Sequence, residues 1–286
     1  MPRQGCLAFE HPIGRDHGHL PTGHLTPQDV TELSVEIPEW RTITDPMSIW
    51  RIGYNPTGTG GRIHRGECAP PPVDVAAHAS PDGILAPKVT SGDDIRWLDE
   101  AISETGAPRS LQLWVMIETP LSILNIKEIA ATAKTTRLAG FVMGSNDLIK
   151  DFRAEPMPGR ENLAACYTLA IAAARAYDIL VFDGVYNDIA NAEGFAAEAR
   201  QARAFGFDGK TLIHPSQVEP CNTIFAPAAD AVQQSRDVIA AFADPANAAK
   251  GVLKVNGKMT ELLHLAQAER MVAVAEAIAA REATNG

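Results

Sequence analysis

The sequence predicts an α/β protein built on a parallel sheet, and three observations predict it. From residue 83 onward, short apolar runs rich in β-branched and aromatic residues alternate with longer segments of helical period. The repeat of roughly 30 residues per strand-and-helix unit is that of an eight-stranded βα barrel, and it also suits a doubly wound open sheet. The chain has 286 residues, 45% of them hydrophobic, which is enough to bury one large core.

The strands, in order, read GILAPKV (83–89), LQLWVMIE (111–118), LAGFVMG (138–144), ILVFDGV (179–185) and KTLIH (210–214). Between them, segments 91–106, 122–135, 160–178 and 193–206 carry apolar residues at helical spacing with polar ends. Five βα units result, and MSIWRIGYN (47–55) offers a sixth strand. The organisation divides into an atypical N-terminal segment (1–46), a barrel core (47–226) and a C-terminal helical extension (227–286). The N-terminal segment holds only two weak strand candidates, GCLAF (5–9) and VTELSVEI (30–37), and exposed polar chain of this kind is where proteolysis begins. Its histidines His11, His17, His19 and His24 read as a polar leader rather than a metal site. The glycines of TGTGGRIHRGECAPPP (57–72) make a poor dinucleotide fingerprint, because no βαβ unit follows them.

Composition removes several function classes. A net charge of −10 and a pI near 5.3 argue against nucleic acid or an anionic membrane as partner. No apolar run reaches the roughly 18 residues that span a bilayer, and no secretory leader is visible, so a cytoplasmic location is expected. Cys6, Cys68, Cys166 and Cys221 are widely spaced and read as thiols.

Four apolar runs end on a polar residue: Glu118, Asp147 in the loop GSND, Asp183 and His214. In a parallel barrel the loops at the C-terminal strand ends build the active site. Glu118 and Asp147 follow consecutive strands, and neighbouring strands lie about 4.8 Å apart, so the two carboxylates can converge on one cation. Magnesium suits such a pair, because it takes one or two carboxylates and keeps sites for water and substrate oxygens. Gly144 permits close backbone approach, and the amides of Ser145 and Asn146 are placed to hold a substrate carboxylate beside the metal.

The segments IETPLSILNIKEIA, RLAGFVMGSNDLIKD, VFDGVYNDIANAEGFAAEARQARAFGFDGKTLIHPSQVE and GKMTELLHLAQAERM together resemble the HpcH/HpaI aldolase and citrate lyase beta-subunit family, in its branch of free-standing acyl-CoA lyases. The resemblance spans residues 83–280. It implies a magnesium-dependent TIM-type (β/α)8 barrel that assembles as a homotrimer or a multiple of one. The implied reaction cleaves a β-hydroxyacyl-CoA of citramalyl, malyl or citryl type. By this likeness Glu118 and Asp147 are the Mg2+ ligands, Arg51 in WRIGYNP binds the acid and stabilises the enolate, and Glu261 in GKMTELLH is an acid–base group lent to a neighbouring subunit. The family's first two strands are not recognisable, so they are divergent or missing here. A pyruvate-type class II aldolase without CoA, and an impaired binding or assembly subunit, are the competing readings.

Overall fold

The computed structural model describes residues 7–8, 49–51, 82–248 and 250–285. Seven strands form one sheet: β1 (Leu7–Ala8), β2 (Ile49–Arg51), β3 (Gly83–Ala86), β4 (Gln112–Ile117), β5 (Leu138–Met143), β6 (Leu180–Asp183) and β7 (Gly209–Leu212). Every neighbouring pair is parallel, in the order β1-β7-β6-β5-β4-β3-β2. The first strand therefore lies beside the last, which is barrel order; a doubly wound sheet would put its first strand in the middle. Both N-terminal strands fall inside predicted windows, 5–9 and 47–55, and flank opposite edges of the sheet. The candidate strand 30–37, the histidines, the 57–72 glycines and the expectation about proteolysis of 1–46 lie outside the described residues.

Period-two alternation divides the sheet into two faces. Leu85, Trp114, Val142 and Phe182 pack together on the inner face, with the Trp114 and Phe182 rings 5.3 Å apart. Gly140 makes room for this packing, since a Cβ there would lie 2.6 Å from Trp114 Cζ3. On the outer face Ile84, Leu113, Val115, Ile117, Phe141 and Val181 join the helices in the larger core. Fully burying each such side chain contributes about 1.5–3 kcal/mol.

The helices α1 (Gly92–Glu104), α2 (Pro120–Leu124), α3 (Ile126–Ala131), α4 (Ser145–Phe152), α5 (Ala164–Ala176), α6 (Ala192–Phe205) and α7 (Val218–Phe225) connect or follow the strands. Ser91 starts α1 through a capping box with Asp94, and Thr119 starts α2 through one with Ser122, with Pro120 in the first turn. The single helix expected over 122–135 is broken into α2, α3 and a 3-10 turn (132–134). The break falls at Asn125, whose side-chain amide donates to the Thr90 carbonyl at 2.9 Å, so a long-range bond overrides local periodicity.

The C-terminal extension is α8 (Ala229–Ala243) packed on α9 (Leu262–Asn285), and it is not purely helical. An antiparallel hairpin, β8 (Val252–Val255) and β9 (Lys258–Glu261), stands between them. Asn256 and Gly257 form its turn with φ of 48° and 81°, the left-handed pair that a two-residue hairpin requires. Cys166 is a buried free thiol, whereas Cys221 is disulfide-bonded, which corrects the expectation of thiols throughout. Linear spacing does not report which sulfurs a fold brings together. Among the described residues no helix is long and apolar enough to cross a membrane.

Candidate active site

Strand parity builds the site. Trp114 and Met116 belong to the inner cluster of β4, so Glu118, two positions further on, is directed to the same side at the strand's C-terminal end. Glu118 is 0% exposed, and Gly144 packs against it: a Cβ on Gly144 would lie 2.3 Å from the Glu118 Cβ. The Gly144 amide donates to the Ile117 carbonyl at 3.0 Å, which locks the end of β5 to the end of β4. Asp147 then falls in the first turn of α4.

Lys88, just beyond β3, joins the two carboxylates. Its backbone N–H donates to Glu118 Oε1 at 2.8 Å, its Nζ lies 3.8 Å from the same oxygen, and its Nζ donates to Asp147 Oδ1. Lys88 thus bridges the Glu118 and Asp147 carboxylates. Lys88 has φ 55°, a left-handed conformation uncommon outside glycine, asparagine and aspartate. Sequence reasoning missed it, because a lysine after a strand carries no mark of its own.

The remaining predicted residues are placed as follows. Ser145 is buried and its Oγ is hydrogen-bonded to the Tyr167 hydroxyl at 3.1 Å, so its side chain is engaged in the barrel wall. Asn146 is exposed and exchanges two amide hydrogen bonds with Asn187, of 3.2 and 2.8 Å, which tie α4 to the loop after β6. Arg51 closes β2, in register with Leu85 of β3, on the strand adjoining Lys88's. Glu261 closes β9 in the C-terminal hairpin, where its N–H donates to His264 Nδ1 at 2.9 Å. Arg270 of α9 reaches Asp208 at 3.2 Å, at the N-terminal end of β7 and so at the opposite mouth of the sheet. Glu261 stands nine residues before Arg270, about 14 Å along the helix axis.

Asp183 and His214, the other polar strand ends, do structural work. Asp183 has the parity of Val181 and faces the helices, where Arg160 Nη1 donates to its two oxygens at 2.7 and 2.9 Å and Lys210 Nζ donates at 2.8 Å. Burial alone would raise its pKa, but Lys210 and Arg160 more than offset that and hold the carboxyl below its ordinary value. Lys210 also donates to Glu198 at 2.6 Å, which makes a buried network of two cations and two carboxylates. Tyr167 lies beside it, its hydroxyl pushed up to about 12 by burial and by the Asp183 charge. His214 Nδ1 accepts from the Ser216 amide at 3.2 Å and caps the turn over Pro215–Gln217.

Among the described residues, no group of three His, Cys, Asp or Glu side chains clusters as a closed metal cage. A two-carboxylate set at an open strand mouth is the kind that magnesium uses with water and substrate, whereas structural zinc sites take four ligands.

Comparison with known proteins agrees with this architecture. The HpcH/HpaI aldolase/citrate lyase family model matches residues 67–215. A (3S)-malyl-CoA thioesterase of Cereibacter sphaeroides is 41% identical over 212 residues, covering 74% of this chain and 71% of the relative. The citrate lyase subunit beta of Haemophilus influenzae is 34% identical over 194 residues, 66% of each chain. Among solved structures, the CitE protein of Mycobacterium tuberculosis in complex with magnesium, acetoacetate and coenzyme A has 28% identity and a TM-score of 0.57, with 74% of this chain and 75% of that one covered. A citrate lyase from Burkholderia xenovorans, 18% identical with a TM-score of 0.63 over 74% of this chain and 70% of that one, shares the fold. The matched segment contains β3 to β7 with Lys88, Glu118, Gly144 and Asp147, and on these grounds the chain belongs to the HpcH/HpaI aldolase/citrate lyase family, a family of carbon–carbon lyases.

Proposed function

We propose that this chain is a magnesium-dependent lyase that cleaves a β-hydroxyacyl-CoA, of citramalyl, malyl or citryl type, into an oxo acid and an acyl-CoA. The observation that carries the reading is the meeting of Glu118 and Asp147 on one ammonium at the C-terminal ends of consecutive strands. That the Mycobacterium tuberculosis relative was crystallised with magnesium, acetoacetate and coenzyme A supports both the metal and the thioester. Glu118 and Asp147 would hold the magnesium, which when bound supplies Lewis-acid polarisation of the substrate's hydroxyl and carboxylate oxygens.

The chain's own residues account for the remaining demands of the reaction. The hydroxyl gives its proton to a solvent water, the bond between the hydroxyl-bearing carbon and the thioester α-carbon breaks, and its electron pair passes to a thioester enolate. The backbone amides of Ser145 and Asn146, at the start of α4, hold the acid's carboxylate. Arg51 stabilises the enolate oxygen as its charge develops, and Glu261 of a neighbouring subunit returns a proton to carbon. Assembly into a trimer, or a multiple of one, brings that glutamate to the site. The hairpin and the start of α9 expose four large apolar side chains, Met259 at 69% with Val252, Leu262 and Leu263, among polar ones such as Lys254 and Lys258, and such a mixed surface suits contact with a second copy.

The Cereibacter sphaeroides relatives favour a second outcome, in which water attacks the thioester carbonyl and releases a hydroxy acid and free CoA. Incubation with (3S)-malyl-CoA separates the two. Lyase action yields glyoxylate and acetyl-CoA with no free thiol, and EDTA abolishes it. Stoichiometric free thiol without acetyl-CoA would assign the thioesterase outcome. Turnover of pyruvate-derived aldols without CoA, or of no substrate at all, would favour the aldolase or the assembly subunit.

A further inference from the structure

Lys88 holds a position that the reaction above does not require. Its backbone is bound to Glu118 Oε1, its ammonium is bound to Asp147, and its left-handed φ turns the chain back toward both after β3. The ammonium and a divalent cation cannot share the space between the same two carboxylates, because two positive charges at such separation repel strongly in a partly buried cleft. We propose that Lys88 is an internal counter-ion that exchanges with magnesium. It neutralises Asp147 and Glu118 before the metal arrives, and the metal displaces its ammonium when it binds. The backbone bond to Glu118 does not depend on the side chain, so the displaced ammonium stays tethered at the strand mouth. There it is within reach of an anionic substrate group. The inference rests on the assignment of Glu118 and Asp147 as magnesium ligands.

Two consequences follow from exchange. Magnesium must compete with the lysine, so removal of the ammonium tightens metal binding, whereas a lysine that merely braces the site would weaken binding when removed. Lys88 is also a partly covered amine, 25% exposed in its side chain, and becomes more reactive when magnesium frees it.

Isothermal titration with MgCl2 alone tests the first consequence on the full chain. Lys88→Gly suits the left-handed backbone and cannot ligate metal, Lys88→Met keeps the apolar stem, and Lys88→Arg keeps the charge. Gly and Met variants are expected to bind magnesium about tenfold tighter or more and to show a larger magnesium-induced rise in Tm, with Arg close to wild type. On the unmodified chain, acetylation of Lys88 by a water-soluble amine reagent, read by peptide mass spectrometry, is expected to rise several-fold when magnesium is added. Equal or weaker binding in the Gly and Met variants, or acetylation that magnesium leaves unchanged, overturns the exchange. If wild type and Asp147→Asn bind magnesium alike, the metal assignment itself fails. If binding depends on Asp147 while the Lys88 variants show no gain, only the inference about Lys88 fails.

Discussion

Glu118 and Asp183 each close an apolar strand of one sheet, both are fully buried, and they end in different surroundings. The difference is one of parity. Glu118 is even with Trp114 and Met116 and turns to the inner mouth; Asp183 is even with Val181 and turns outward under the helices. In the wall, Arg160 and Lys210 match Asp183 and Glu198 charge for charge, and the network is closed. At the mouth, the described residues bring two carboxylates to the flexible Lys88 ammonium, and one of the two, Asp147, is half-buried with its side chain 35% exposed. A balanced and buried ion set specifies the fold. A set whose described partners include a displaceable ammonium can accept a ligand.

The contrast breaks most sharply under charge removal. Asp183→Asn leaves Arg160 and Lys210 with excess buried charge, and breaking a buried pair in this way is expected to cost about 3–5 kcal/mol, measured as the urea midpoint and slope. Glu118→Gln and Asp147→Asn are expected to leave stability within about 1 kcal/mol of wild type and to lower magnesium-dependent turnover by about 10²–10³-fold or more. A stable Asp183→Asn variant, or full activity without Glu118, would erase the distinction between wall and mouth.

A pH titration sharpens the comparison with a smaller effect. Asp183 has its folded pKa below the ordinary value of 3.8, so its ionised form is favoured in the folded protein. The stability it contributes is fully present above the ordinary value and is lost as pH falls through the lower folded one. Urea midpoints taken between about pH 6 and pH 2.5 are expected to fall less in Asp183→Asn than in wild type, once each is normalised to its value at pH 6. Parallel curves would show that the Asp183 charge does not couple to folding.

Much of this was legible in the sequence, for physical reasons. Alternation in LQLWVMIE and LAGFVMG marks strands because period two is a direct consequence of backbone pleating, and it carries Glu118 to the correct end. What was not legible depends on contacts distant in sequence. Lys88 reaches Asp147 across 59 positions through a left-handed turn that no glycine or asparagine announces. Arg160 and Lys210 are 23 and 27 positions from Asp183, and neither spacing predicts that an arginine in a polar loop will be buried beside it. The hairpin at Asn256–Gly257 did carry a local signal, but its four-residue strands are too short and polar to stand out beside the helical segments around them.

The smallest expected effect tests whether the mouth is complete in one chain. Glu261 sits on a hairpin that packs on α8 and α9, in a two-stranded sheet separate from β4 and β5. If a neighbour supplies it, Asp147→Asn and Glu261→Gln are each inactive alone but complement each other after subunit exchange. Under random assortment about a quarter of the sites combine an intact metal pair with an intact acid, so up to about 25% of wild-type activity returns in a cyclic oligomer. The ceiling is the same for any ring size, because each site draws on two chains only. Exchange is verified independently with differently tagged parents. Proven exchange without recovery, from two parents that are each inactive, places Glu261 outside the shared site. Recovery without exchange is impossible under the scheme and would point to a contaminating enzyme instead.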